Sequence, residues 1–321
     1  MIVVTGAAGF IASCLVGALN NKGIKDIVIV DDFTKEQKLG NWETKEYAEK
    51  VDRNVFFKWF DDNASKVDFV FHLGARTDTT EFDWSVFEEL NLNYTKEVWK
   101  RCTENKIPLI YASSAATYGG GEVGYTDNHK TIGLLRPLNP YGKSKNDFDV
   151  WALKQEKHPP FWVGTKFFNV YGPNEYHKGR MASVVLHTFE SVSKTGKMQL
   201  FRSHRPDFRN GMQLRDFVYV KDVVDMLIFL SETCPKNGLY NIGTGNAESF
   251  LALATATFEA MGKPVDIEFI DMPADIRTKY QYYTEATMTK LFSAGYEKPF
   301  YTLKEGIFDY VTNYLMPNKY F

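Results

Sequence analysis

Tyr141-Gly-Lys-Ser-Lys145 sets a phenol and an amine four residues apart, directly after Asn139-Pro140 and some way downstream of Ser113-Ser114. On a helix such a pair shares one face, stacked a turn apart. Asparagine caps helix N-termini and proline suits the first turn, so Tyr141 is expected near the positive end of the helix dipole. A nearby lysine cation and that dipole both favour tyrosinate, which predicts a phenol below its ordinary value of about 10. The pair would then work as an acid/base. Tyr-x-x-x-Lys is also a common spacing on plain helix surfaces, so its meaning depends on the elements around it.

Those elements alternate. Strands are expected at Ile2–Thr5, Ile27–Asp31, 68–73, 109–112 and 162–168, with helices at 11–22, 87–105 and 141–155. Almost fully apolar strands alternating with helices predict an α/β fold, a Rossmann-type doubly wound parallel sheet covered on both faces. Thr5-Gly6-Ala-Ala-Gly9-Phe-Ile-Ala12 falls at the first strand–helix junction. Glycines there permit a tight turn and a close approach of backbone to a pyrophosphate at the helix N-terminus. Ala12 stands where a third glycine is common. Asp31 ends the second strand, where an acid binds adenosine ribose hydroxyls, and Asp32, Lys38 and Arg53 follow. Asp31 favours NAD because a carboxylate repels a 2′-phosphate, whereas Lys38 and Arg53 would pair with that phosphate and favour NADP. Leu73-Gly74-Ala75 closes a later strand, where glycine lets the backbone approach a cofactor.

After Asn169 the pattern changes. Residues 171–215 are rich in Gly, Pro, Arg and His and read as long loops around a helix at 182–194. A strand at 215–222 leads into a helix at 223–232, and further helices are expected at 250–261 and 303–313. The expected division is a dinucleotide-binding domain of 1–168 plus about 215–238 and a smaller C-terminal substrate-binding lobe of 169–214 plus 239–321.

The formal net charge is -2 with no block of like charge, which argues against a nucleic-acid partner. Cys14, Cys102 and Cys234 are scattered, which suits free thiols in a reducing compartment. The six histidines show no metal-ligand spacing, so no metal is expected. The chain opens directly on an apolar strand, and no stretch has the length to cross a bilayer. The expected location is cytoplasmic, with no membrane partner.

The turn Gly6-x-x-Gly9-x-x-Ala12, Ser113-Ser114 after a strand, and Tyr141-x-x-x-Lys145 make the chain resemble the extended short-chain dehydrogenase/reductase family over essentially its whole length. The resemblance implies that Tyr141 is the acid/base, that Lys145 binds the nicotinamide ribose and lowers the tyrosine, and that Ser114 hydrogen-bonds the reacting oxygen. It adds Phe10, Ile11, Arg76, Thr77, Asn91, Val170 and Lys178 to the cofactor residues. Dehydratases of the family carry an Asp-Glu pair where this chain has Ala115-Ala116, so dehydration lacks its carboxylates.

Segments 112–120, 168–173, 177–183, 215–219 and 241–249 are similar to the branch of the family that epimerises an ADP-heptose for the lipopolysaccharide core. His177-Lys-Gly-Arg-Met-Ala-Ser183 is its most specific part. This likeness implies an isomerase without net redox, a tightly bound NADP (NAD being possible), and a homo-oligomer, a pentamer in that branch. Inverting a secondary alcohol through a ketone puts the oxygens of the two epimers in different places. Two acid/bases serve both placements, and by likeness Lys178 is the second. Substrate contacts carried over are Ser114, Asn169, Arg180, His187, Phe201, Arg215 and Tyr280; arginines suit a diphosphate. The 201–215 stretch is longer than the family leads one to expect, and Arg202, Ser203 and His204 are not assigned. Two rivals remain: a UDP-hexose 4-epimerase, which would not need Lys178, and a catalytically silent NAD(P)-sensing interaction protein, which would tolerate loss of Tyr141 or Lys145.

Overall fold

Runs of valine and isoleucine need cover on both faces, and a seven-stranded parallel sheet provides it. The structure is a computed structural model that describes residues 1–277 and 280–321. Strands β1 (Ile2–Thr5), β2 (Ile27–Asp31), β3 (Glu49–Asp52), β4 (Phe69–His72), β5 (Leu109–Ser114) and β6 (Trp162–Phe167) share the sheet with Gly238–Ile242. Its order is Gly238–Ile242, β6, β5, β4, β1, β2, β3, and every neighbouring pair is parallel. The winding reverses at β1, which has β4 on one side and β2 on the other. Such a switch point opens a crevice at the carboxyl ends of the strands. The expected fold class is the one observed.

Two strands escape the sequence pattern. In β3, Glu49 and Lys50 are exposed and only Val51 is buried, so no apolar run betrays it; charge on an edge strand also discourages stray pairing. Gly238–Ile242 occupies the other edge, and the expected boundary at 238 cuts it after its first residue. Side chains cover this edge: Leu239 N–H donates to His129 Nε2 (3.1 Å) and Asn241 N–H to Asp127 Oδ2 (2.9 Å). The expected helix at 87–105 is helical but uneven, with a π-helical stretch Glu88–Asn93 between Trp84–Phe87 and Tyr94–Glu104.

Smaller sheets follow. Asn169–Tyr171 pairs with Leu214–Tyr219, which also pairs with Ala247–Ser249; Met198–Phe201 pairs with Ile267–Ile270. Among the described residues, no helix is long and apolar enough to cross a membrane.

Candidate active site

The helix Pro140–Ala152 starts as its sequence dictates. Asn139 is extended, and its Oδ1 accepts from Gly142 N–H at 2.8 Å. Tyr141 therefore lies in the first turn. Lys145, one turn on, is buried, and its Nζ donates to the Ala112 carbonyl at 2.8 Å. Ser114 ends β5 beside them and accepts from Ala116 N–H at 3.1 Å.

Electrostatics here reverse one expectation. Burial pushes the Tyr141 phenol up, and the Ser114 hydroxyl pulls it back only in part. Burial also brings Lys145 down, to about 8, against the opposing charge of Asp149. Desolvation decides the direction of the shift at this depth. The two shifts move the pair apart, the lysine weakened as a cation and the phenol strengthened as a proton holder.

At the switch point a cleft of about 610 Å³ is lined by Gly6, Gly9, Phe10, Ile11, Asp31, Asp32, Lys38, Arg53, Leu73, Gly74, Ala75, Arg76, Thr77 and Lys178, all expected for the cofactor. Gly6 has φ +73°, and a Cβ there would sit 2.6 Å from Gly74 Cα. Only glycine keeps the turn this near the end of β4. The helix Phe10–Asn21 begins at Gly9 with no side-chain cap, leaving its N-terminal amides to an anion. Asp31 Oδ2 accepts from Ala8 N–H at 3.0 Å, and its Oδ1 lies 3.4 Å from Lys38 Nζ. Bared amides, a floor without Cβ atoms and a carboxylate beyond them fit a dinucleotide. His72, at the end of β4, bridges Thr5 Oγ1 (2.7 Å) and Thr95 Oγ1 (3.0 Å), and burial presses it to about 3.

A second cleft, of about 980 Å³, holds Ser114, Tyr141, Lys145, Asn169, Val170, Arg180 and Tyr280. Lys178 lines both clefts, as do Phe10, Ile11, Leu73, Ala75, Thr77 and Met181, and it is the one ionisable side chain of the seven. Its Nζ lies 5.3 Å from the Phe10 ring centroid. Burial lowers the Lys178 amine and the charge of Glu175 opposes that. Glu175 is itself buried and closes the loop that displays the lysine: it accepts from Gly172 N–H (3.3 Å), Ser183 N–H (2.6 Å) and Ser183 Oγ (2.7 Å). After Lys178 the chain bends at Gly179, φ 51° and ψ -130°, a conformation that favours glycine.

With this geometry in view, comparison with known proteins is direct. The NAD dependent epimerase/dehydratase family matches residues 2–243. This chain belongs to that family. It is 49% identical to an ADP-L-glycero-D-manno-heptose-6-epimerase of Fusobacterium nucleatum and 45% identical to one of Nitratidesulfovibrio vulgaris, each match covering 98% of both chains. The crystal structure of Helicobacter pylori ADP-L-glycero-D-manno-heptose-6-epimerase superposes with a TM-score of 0.79 at 26% identity, over 97% of this chain and 95% of that one.

Within this epimerase/dehydratase-family site, four expected residues stay off the cleft walls. Asn91 is buried and clamps the 76 position, accepting from Arg76 N–H (2.8 Å) and donating to its carbonyl (3.0 Å) and to Ser144 Oγ (3.0 Å). The π-helical stretch presents it there. Arg215 is buried, and its guanidinium donates to the carbonyls of Leu214 and Gln281. It lies 5.3 Å from the ring of Tyr280, which Phe201 meets edge-on at 6.3 Å. Both back a wall residue. His187 sits in the helix Val184–Thr195, partly buried. Conversely, Gln37, Phe82, Leu138 and Gln281 line the clefts without a sequence signal beyond polarity or isolated apolarity, and His177, which opens the specific 177–183 segment, lines the first cleft without a role assigned from the sequence.

Proposed function

We propose that this chain is an ADP-D-glycero-β-D-manno-heptose 6″-epimerase that makes the L-glycero epimer for the lipopolysaccharide core, a nucleotide-sugar isomerase working through a transient 6″-ketone. The observation that carries the reading is Lys178, which lines both the dinucleotide cleft and the cleft of Tyr141. A bound nicotinamide supplies the hydride acceptor and donor. The remaining work belongs to the chain. Tyr141 Oη takes the proton from one epimer's hydroxyl, Ser114 Oγ orients that oxygen, and the Lys145 cation favours the tyrosinate. Lys178 Nζ delivers a proton to the oxygen of the other epimer after the ketone has turned. A lysine lowered by burial suits such a role near neutral pH.

NADP is the proposed dinucleotide. Lys38 offsets the charge of Asp31. Arg53 lines the same cleft and has no ion-pair partner among the described residues, and its guanidinium would pair with a 2′-phosphate. Gly6, Gly9 and the helix N-terminus would hold the pyrophosphate, Val170 and Lys145 the nicotinamide end. The substrate contacts of this reading are Asn169, Arg180 and Tyr280 on the cleft wall, with Arg215, Phe201 and His187 behind or beside it. The division into a dinucleotide domain and a substrate lobe, a cytoplasmic location and a homo-oligomeric assembly belong to the same proposal.

Purified protein incubated separately with ADP-D-glycero-manno-heptose and UDP-galactose tests it. Inversion of the heptose alone is expected; conversion of only the UDP-hexose overturns the reading in favour of a 4-epimerase. Mass analysis of the dinucleotide that co-purifies should find NADP.

A further inference from the structure

Residues 319–321 lie some 140 positions beyond Lys178 yet touch the segment that carries it. Tyr176 Oη donates to the Lys319 carbonyl at 2.7 Å, and its ring meets Tyr320 edge-on at 5.0 Å. Asn174 Oδ1 accepts from Phe321 N–H at 2.8 Å. On its other side the same tripeptide grips the segment after β2. The Tyr320 ring fills the space a Cβ would take at Gly40, and Lys45 Nζ donates to the Phe321 carbonyl. Next to Gly40, the buried Asn41 donates to the Ala8 carbonyl of the glycine turn (2.9 Å) and to the Asn174 carbonyl (3.1 Å), and it meets His177 Nδ1 at 3.3 Å.

Two routes link the dinucleotide turn to this segment: Asn41 reaches Asn174 and His177 directly, and the tripeptide joins the 40–45 stretch to Asn174 and Tyr176. Lys178 follows His177 immediately. Glu175 ties together the two ends of the loop, but its middle turns at a flexible glycine, and a lysine stem adds freedom of its own. Ser13 Oγ and Asn41 hold Asn174 from one side (2.9 and 3.1 Å), and the tripeptide adds a further anchor that reaches Tyr176 as well.

We propose that residues 319–321 are a positioning strap for Lys178, setting the second acid/base relative to the dinucleotide turn. The inference rests on the two-base reading above. A shift of about 1 Å in a catalytic group costs roughly 10²-fold in rate, so a strap acting through Lys178 has a large and one-sided effect. It should slow the reaction of the epimer served by Lys178 and spare the one served by Tyr141.

The test uses the double variant Tyr320→Ala with Phe321→Ala, purified with its dinucleotide bound and mixed with each heptose epimer separately. Nicotinamide absorbance follows the first half-reaction. One epimer should react within about twofold of the parent rate and the other at least about tenfold slower. Equal slowing with both epimers, or none with either, overturns the strap. Tyr176→Phe removes a single hydrogen bond and keeps the question open to test should the double variant fold poorly; the same asymmetry, about threefold, is expected. Lys178→Met run in parallel separates two failures. Symmetric behaviour in Lys178→Met overturns the two-base reading and the strap with it. Asymmetry there, with none in the strap variants, overturns the strap alone.

Discussion

Asp149 and Lys166 form an ion pair at 2.7 Å with neither side chain exposed to solvent. Asp149 also accepts from Ser113 Oγ (2.6 Å) and Tyr111 Oη (3.0 Å), and Lys166 donates to Thr117 Oγ1 (2.7 Å). The pair thus ties β5 and β6 to the helix that carries Tyr141 and Lys145. Removing one member strands a buried charge. Lys166→Met should lose about 3–5 kcal/mol of stability in urea unfolding, and adding Asp149→Leu should restore a large part of it.

Lys145 shares its helix face with Asp149, whose charge holds the lysine up against burial. Tyr141 is raised, so tyrosinate becomes more abundant as pH rises. Turnover should therefore climb with pH until Lys145 loses its proton near about 8, and level or fall beyond. Asp149→Asn combined with Lys166→Met, which leaves no stranded charge, should move that turning point to lower pH in a kcat–pH profile. Tyr141→Phe should cut turnover about 10²–10⁴-fold with the dinucleotide retained.

His72 gives a stability prediction of opposite sense. Its folded pKa, about 3, lies below the ordinary 6.5. Between those values the unfolded chain binds a proton that the folded chain refuses, so stability falls as pH drops from 6.5 towards 3. The slope from this group alone is about 1.4 kcal/mol per pH unit. Urea midpoints for His72→Gln should start lower, because the bridge between Thr5 and Thr95 changes, yet fall less steeply in acid.

The parts of this site legible in the sequence are those where a local rule names the residue. Asn139-Pro140 announce a helix start, Gly6 and Gly9 a turn, and apolar runs the inner strands. What stayed hidden depends on neighbours remote in sequence. The charged β3 has no apolar signature, because its inner position Val51 is its only buried residue. The placement of Asn91 follows from an irregular helix, and Arg215 is withdrawn from the cleft by carbonyls that only the fold supplies. The direction of the Tyr141 shift escapes the sequence for the same reason. Spacing reveals the lysine and the dipole, while burial belongs to the assembled structure.

Dinucleotide choice turns on two cations. Lys38 is engaged with Asp31, whereas Arg53 lines the cleft without an ion-pair partner among the described residues. Arg53→Ala should weaken NADP about tenfold or more and leave NAD nearly unchanged, since a charge-assisted hydrogen bond contributes roughly 1.5–3 kcal/mol. Titration of the protein stripped of dinucleotide, by fluorescence with each form in turn, gives the ratio. Equal losses for both forms would assign Arg53 to the shared part of the molecule instead.

Lys178 and Gly179 offer paired tests of the second base. Lys178→Met keeps the stem and deletes the amine, so epimerisation should fall about 10²–10⁴-fold while the fold and the bound dinucleotide remain. Near-normal turnover by that variant would sink the two-base scheme. Gly179→Ala leaves the amine in place and disturbs only its delivery. No atom crowds a Cβ there, so the cost is backbone strain alone, about 1–3 kcal/mol. The loop relieves that strain by turning elsewhere and carries Lys178 away from its station. The expected signature is a fall in kcat accompanied by some rise in KM, because Arg180, a proposed substrate contact, follows the bent glycine directly. An increase in KM with unaltered kcat would place the glycine in substrate binding, and Lys178 would then tolerate displacement in a way a proton donor does not.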